Sequence, residues 1–246
     1  MAEKLRSILK RTSWSLVLKA VIFGVAWWAL PWWLFLLVAL YLYFVPITGA
    51  YKVSVPFFVL LLITLLQGQD VISAVIFGAV FYFIILVKDL IIINRRTTHE
   101  ILMLVLSYLL IRGFFLHVGG SFGWRSLLDS AVAAFAVSVL VASFIKNFSV
   151  ADALVPATAN SREARSFRRM LGGMVFLLMW QLLIIGLFLP LNFLYQSAVV
   201  FLLAVVLMDL VPQYIFGELS RRKALATGIV LFALLIIVLA SARWVL

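Results

Sequence analysis

Residues 170–208 read MLGGMVFLLMWQLLIIGLFLPLNFLYQSAVVFLLAVVLM, a run of 39 residues without a charged side chain. The hydrocarbon core of a bilayer is about 30 Å thick, and an α-helix crosses it with about 20 residues at 1.5 Å each. Because the run is nearly twice this length, it predicts two membrane helices joined by a turn. Proline and asparagine are typical of turns, so the turn is expected at Pro190-Leu191-Asn192.

The composition of the whole chain agrees with a membrane protein. Of the 246 residues, 66% are hydrophobic and 12% are charged, whereas a soluble domain is about half apolar and about one quarter charged. The absence of cysteine excludes disulfides, thiolate metal sites and cysteine nucleophiles. In a soluble protein the formal net charge of +11 would suggest nucleic acid. In a membrane protein it instead indicates basic residues held at the cytoplasmic surface, and no nucleic-acid partner is expected.

Applying the same length criterion throughout predicts an all-α polytopic membrane bundle, forming one transmembrane domain over residues 1–246. The predicted helices are 13–30, 32–46, 53–67, 71–93, 100–118, 127–145, 170–189, 192–216 and 223–244. The second and third have only about 15 residues each. They either span obliquely or dip into the membrane without crossing it, so the expected number of spans is seven to nine.

The basic residues set the predicted orientation. If the N-terminus is cytoplasmic, fifteen lysines and arginines lie on the cytoplasmic side, three lie outside, and Lys19 and Lys88 lie within helices. Positive charge is concentrated on the cytoplasmic side of membrane proteins. The pattern therefore predicts a cytoplasmic N-terminus and an external C-terminus, in a plasma membrane of the bacterial inner-membrane type.

The long connection between residues 146 and 169 is predicted to be cytoplasmic. Within it, Ser161 can cap a short helix that carries the basic side chains Arg162, Arg165, Arg168 and Arg169. Such a helix is attracted to anionic headgroups by about 1 kcal/mol per residue. Two interpretations stay open, a contact with anionic lipid and a simple topology signal.

Small side chains recur every four residues along the sixth predicted helix, at Ser130, Ala134, Ser138 and Ala142. In lipid, such a stripe lets two helix backbones approach closely. The stripe predicts a central helix contact of the bundle.

The motifs give no catalytic assignment. Gly119-Gly120-Ser121-Phe122-Gly123 fits the G-x-S-x-G pattern, but it joins two membrane helices, whereas a nucleophile elbow joins a strand to a helix. His99-Glu100 lacks the second histidine of a zinc motif. No catalytic residue, metal site or cofactor is predicted.

Charges inside the membrane are the strongest candidates for functional side chains, because each costs at least about 2.5–3.5 kcal/mol at the bilayer centre. Arg112 and Asp129 lie near the outer ends of consecutive helices and are predicted to form a structural pair. A polar, cytoplasm-facing site for a substrate or ion is predicted from five side chains: Asp209, Asp89, Lys19, Lys88 and Gln181. The alternative is that these groups fix helix register or snorkel to the surface.

The sequence favours a non-enzymatic membrane protein, either a transporter-like carrier or a subunit of a larger complex. One alternative is an enzyme that acts on lipid at the cytoplasmic interface through Asp89 and Asp209. Another is a purely structural partner of a membrane protein. The expected partners are the bilayer, anionic lipids on the cytoplasmic side, and another membrane protein or a second copy of the chain.

The predicted orientation can be tested by cysteine labelling, because the chain contains no native cysteine. A cysteine replacing Gln69 should react with an impermeant maleimide added outside intact cells. A cysteine replacing Ser161 should react only after the membrane is opened. Reaction of both from outside would contradict the predicted orientation.

Overall fold

The structure is a computed structural model that describes residues 14–45, 53–89, 96–118, 123–149, 161–215 and 220–242. These ranges contain nine α-helices and no extended sheet. The helices are α1 (Trp14–Ala29), α2 (Trp32–Phe44), α3 (Ser54–Leu66), α4 (Val71–Asp89), α5 (Arg96–Val118), α6 (Trp124–Ser149), α7 (Ser161–Leu187), α8 (Phe193–Ile215) and α9 (Arg221–Ser241). The predicted all-α class is confirmed, and each of the nine predicted helices overlaps an observed one. The basic segment that was predicted to form a separate short helix is instead the first part of α7, which begins at Ser161.

Five helices, α4, α5, α6, α8 and α9, are long and apolar enough to cross a membrane. The apolar helices α1, α2 and α3, and residues Gly172–Leu187 of α7, are shorter. Helices α2 and α3 have 13 residues each and are therefore about 20 Å long, about two-thirds of a hydrocarbon core. The chain is thus a helical protein with several candidate spans.

The chain divides into two compact units, residues 1–102 and 103–246. In unit 1, ring contacts connect all four helices α1 to α4. Phe23 contacts Phe35 edge to face at 5.2 Å and stacks on Phe81 at 4.1 Å between centroids. Phe81 lies 6.1 Å from Phe57, which stacks on Tyr43 at 4.0 Å. These five buried rings form the core of unit 1.

The closest approach in unit 1 joins α1 to α4 through two glycines. A Cβ on Gly24 would lie 2.7 Å from the carbonyl oxygen of Ala74, and a Cβ on Gly78 would lie 3.1 Å from that of Ala20. Only a residue without a side chain permits the first of these contacts, because real Cβ atoms are not found so close to a backbone oxygen. Small residues therefore set the spacing of the two backbones.

Side-chain caps hold the connection between α3 and α4. The carboxylate of Asp70 accepts hydrogen bonds from the Ser73 backbone N–H at 2.7 Å and from the Ser73 hydroxyl at 2.6 Å, which caps the start of α4. Gln69 donates to the carbonyls of Trp27 and Leu30 at 2.9 and 3.2 Å. The end of α1 is thereby fixed by the turn that precedes α4.

In unit 2, α6 packs on α7, α7 on α8, and α8 on α9. The predicted small-residue stripe is buried at Ser130, Ala134 and Ser138, while Ala142 is exposed. The Trp180 indole of α7 donates to the Ser130 hydroxyl at 3.0 Å. At Gly186 a Cβ would lie 2.6 Å from the side chains of both Phe115 and Val200. The absence of a side chain at Gly186 therefore leaves room for these residues of α5 and α8.

The predicted turn at residues 190–192 is also confirmed. α7 ends at Leu187 and α8 begins at Phe193. The carbonyl of Asn192 accepts from the backbone N–H groups of Tyr195 and Gln196, and the Gln196 side chain donates to Leu189 at 2.9 Å. The two helices therefore form a tight hairpin.

Substitution of Gly24 by alanine should destabilise unit 1, because the added Cβ meets backbone rather than a movable side chain. Overpacking of this kind costs about 1–3 kcal/mol. Thermal unfolding in detergent measures the effect. Gly228→Ala is the matched control, since no atom lies within 4 Å of its added Cβ. Equal melting temperatures for the two variants would contradict the close approach of α1 and α4.

Candidate functional site

Two of the predicted site residues, Lys19 and Lys88, meet at the C-terminal end of α2. The Lys19 ammonium of α1 donates to the carbonyl of Val45, and the Lys88 ammonium of α4 donates to the carbonyl of Tyr43. Lys88 is 2% exposed, and its Nζ lies 5.0 Å from the centroid of the Tyr43 ring. The helices thus bring two cations to carbonyls that are two residues apart.

Electrostatics and hydrogen bonding explain this position for the lysines. The last carbonyls of an α-helix have no partner within the helix, and they carry the negative end of the helix dipole. In lipid, no water is present to satisfy them. The two ammonium groups supply hydrogen bonds and positive charge at the same place. The chemistry observed for this pair is helix capping.

Of the other three candidates for the polar site, Asp209 and Gln181 belong to unit 2. Asp209 of α8 accepts a hydrogen bond from the Thr227 hydroxyl of α9 at 3.4 Å. Gln181 is an exposed side chain of α7, and the Asp89 side chain lies outside the described residues. Gln181 is six residues from the end of α7 and Asp209 sixteen from the start of α8. In this hairpin the two are therefore about 15 Å apart along the helix axes.

The carboxylate of Asp129 lies 4.0 Å from His117 Nε2, with both side chains partly exposed. Arg112, its predicted partner, belongs to the same helix as His117 but is five residues earlier, about 140° away around the helix. The two basic residues therefore lie on different sides of α5. The contact that the structure gives Asp129 is to His117, and a pair with Arg112 stays a prediction.

Several other predicted features lie outside the described residues. They are residues 119–122 of the glycine motif, including Ser121, and the side chains of Arg162, Arg165, Arg168 and Arg169. Among the described residues, no three histidine, aspartate or glutamate side chains are grouped as metal ligands. The contact of the four arginines with anionic lipid stays a prediction.

A groove along α1 and α4 is a feature that the sequence analysis did not identify. Its volume is about 760 Å³. Apolar side chains line it almost throughout: Val17, Ala20, Val21, Gly24, Val25 and Trp28 from α1, and Val71, Ala74, Val75, Gly78, Ala79 and Tyr82 from α4. Along both helices the lining residues are separated by alternating intervals of three residues and one residue. A groove with this lining can hold an apolar chain, such as a lipid tail or a helix face.

A signal for this groove was present in the sequence. Residues 20–24 and residues 74–78 both read AVIFG. In the folded chain the two copies pack against each other, with Gly24 next to Ala74 and Gly78 next to Ala20. A search for identical short segments would have found the closest helix contact of unit 1.

Comparison with protein families, with curated protein sequences and with solved structures finds no match to this chain.

Replacement of Lys88 by methionine should destabilise unit 1, because it leaves the buried Tyr43 carbonyl without its donor. The loss of such a donor costs about 1–3 kcal/mol. Lys19→Met should have a smaller effect, since Lys19 is partly exposed and solvent or headgroups can replace it. Thermal unfolding in detergent ranks the variants, with the exposed Lys223→Met as the control. A Lys88→Met variant as stable as this control would rule out an important capping role.

Proposed function

We propose that this protein is a non-catalytic, polytopic subunit of a membrane complex. The observation that carries the proposal is the capping of α2 by Lys19 and Lys88. These cations were candidates for binding a substrate or ion. Their hydrogen bonds to the Val45 and Tyr43 carbonyls instead support a role in holding the helices together.

The lateral surfaces of the helices support the same function. No residue of α9 is buried within the described chain, although α9 has the highest mean hydropathy, 2.7, of the five candidate spans. Its side toward α8 includes Thr227, Leu235 and Val238, which are partly buried. The opposite side carries a continuous apolar stripe: Leu225, Ile229, Phe232 and Ile236. In a complex, a partner helix covers this stripe.

The setting of the proposed subunit is a plasma membrane of the bacterial inner-membrane type, with a cytoplasmic N-terminus. The distribution of lysine and arginine supports this orientation. On the cytoplasmic side, residues 162–169 provide four arginines for anionic lipid.

A carrier is the second candidate, and one contact favours it. Asp209 lies in an apolar span and accepts from the Thr227 hydroxyl. A carboxylate beside a hydroxyl has the oxygen ligands that a small cation or proton requires. In a carrier, Asp209→Asn would preserve folding and abolish transport, whereas in a subunit it would leave assembly unchanged.

Crosslinking along α9 tests the complex directly. A photoreactive amino acid is placed in turn at Leu225, Ile229, Phe232 and Ile236, and at Leu231 and Leu235 on the side toward α8. Irradiation in native membranes should give one protein adduct of constant mass. We expect the adduct at positions three or four residues apart on the outward stripe and not at the two controls, because a helix partner covers one face. Lipid adducts alone at every outward position would refute the proposal.

A further inference from the structure

Arg112 has a buried donor atom, Nε, for which the described residues supply no acceptor. Asp129, its predicted partner, lies 4.0 Å from His117 Nε2. A guanidinium stays protonated in proteins. Within a membrane span, such a charge is costly unless it is paired.

The surroundings of Arg112 on α5 are apolar and partly exposed. Val105 is 38% exposed and Leu116 44% exposed, and Tyr108 and Arg112 lie between them with intermediate exposure. We name these four residues the Arg112 stripe. They occupy positions i, i+3, i+7 and i+11, the spacing with which one helix meets another. On the neighbouring helix α8, the Phe201 ring lies 5.2 Å from that of Tyr108.

The direction of the side chain argues against a lipid headgroup as the partner. Arg112 is six residues before Val118, the last residue of α5, or about 9 Å below that end. The Cα–Cβ bond of a helical residue tilts toward the helix N-terminus. The Cα–Cβ bond of Arg112 therefore tilts toward the middle of α5 and away from the nearer helix end. A carboxylate within the membrane lies in the better direction.

We infer that the Arg112 stripe binds a transmembrane helix of a partner protein that carries one aspartate or glutamate at the depth of Arg112. The apolar residues of the stripe pack against this helix, and the guanidinium pairs with its carboxylate through charge-assisted hydrogen bonds. The inference rests on the proposed role as a complex subunit and specifies the chemistry of the partner.

A selection with helices of defined chemistry tests this pairing. The full-length protein is expressed in a bacterial membrane with a library of single-span helices. The library varies apolar residues on one face and places aspartate, glutamate, asparagine, glutamine, leucine, lysine or arginine six residues from the outer end. Association is scored with a membrane two-hybrid reporter. Because packing residues are varied together with the polar residue, poor shape complementarity of one helix does not decide the result.

The wild-type protein should enrich aspartate and glutamate about tenfold over leucine, consistent with the strength of polar contacts between membrane helices. Arg112→Glu should instead enrich lysine and arginine. Arg112→Gln, which keeps donors without the charge, should lose the preference for carboxylates. Arg125→Gln is the control, since Arg125 is exposed at the start of α6, and it should behave as the wild type.

Three results would overturn the inference. The first is no enrichment of carboxylates by the wild type, and the second is the same enrichment by wild type and Arg112→Gln. The third is phosphatidylglycerol that co-purifies with the wild type and is lost in Arg112→Gln, which would assign Arg112 to a lipid. A periodic α9 adduct without carboxylate enrichment refutes the Arg112 inference alone. Absence of any α9 protein adduct refutes the complex-subunit proposal, whatever the selection gives.

Discussion

The need to satisfy the last backbone carbonyls of a helix is the constraint on which unit 1 depends. The last carbonyls of α2, like those of any α-helix, have no partner within the helix. Lys19 and Lys88 supply these partners from α1 and α4, the two helices that Gly24 and Gly78 bring closest together. Polar contacts and close packing therefore act on the same pair of helices.

The aromatic core follows from this arrangement. The ring contacts begin at Phe35 of α2, pass through α1, α4 and α3, and return to α2 at Tyr43. Tyr43 has two roles, because its ring stacks on Phe57 while its carbonyl accepts from Lys88. In lipid, apolar burial gives little driving force between helices, so packing and polar contacts must supply it. Helix α2 has both kinds of contact, because its aromatic rings pack on neighbouring helices and its last carbonyls accept hydrogen bonds from two lysines.

The sequence predicted the helices well because their signals are local. Uncharged runs, Pro31 and Pro190 determine where helices begin and end, and the buried stripe at Ser130, Ala134 and Ser138 follows from a four-residue spacing. The positions of the lysine side chains required tertiary information. Lys19 and Lys88 are 69 residues apart, and nothing local indicates that both reach the end of α2. Lys19, Lys88 and Asp209 share only a similar depth in their helices, and depth does not determine which helices are neighbours.

The contact of Asp129 shows a different limit of sequence reasoning. Arg112 and His117 were both near the expected end of α5, and formal charge favoured Arg112 as the partner. The angle between them around the helix, about 140°, was already calculable. What the sequence lacked was the face that α5 turns toward α6, which the His117–Asp129 contact reveals. Once that face is known, Arg112 is seen to lie about 140° from it around the helix, and its pair with Asp129 stays a prediction.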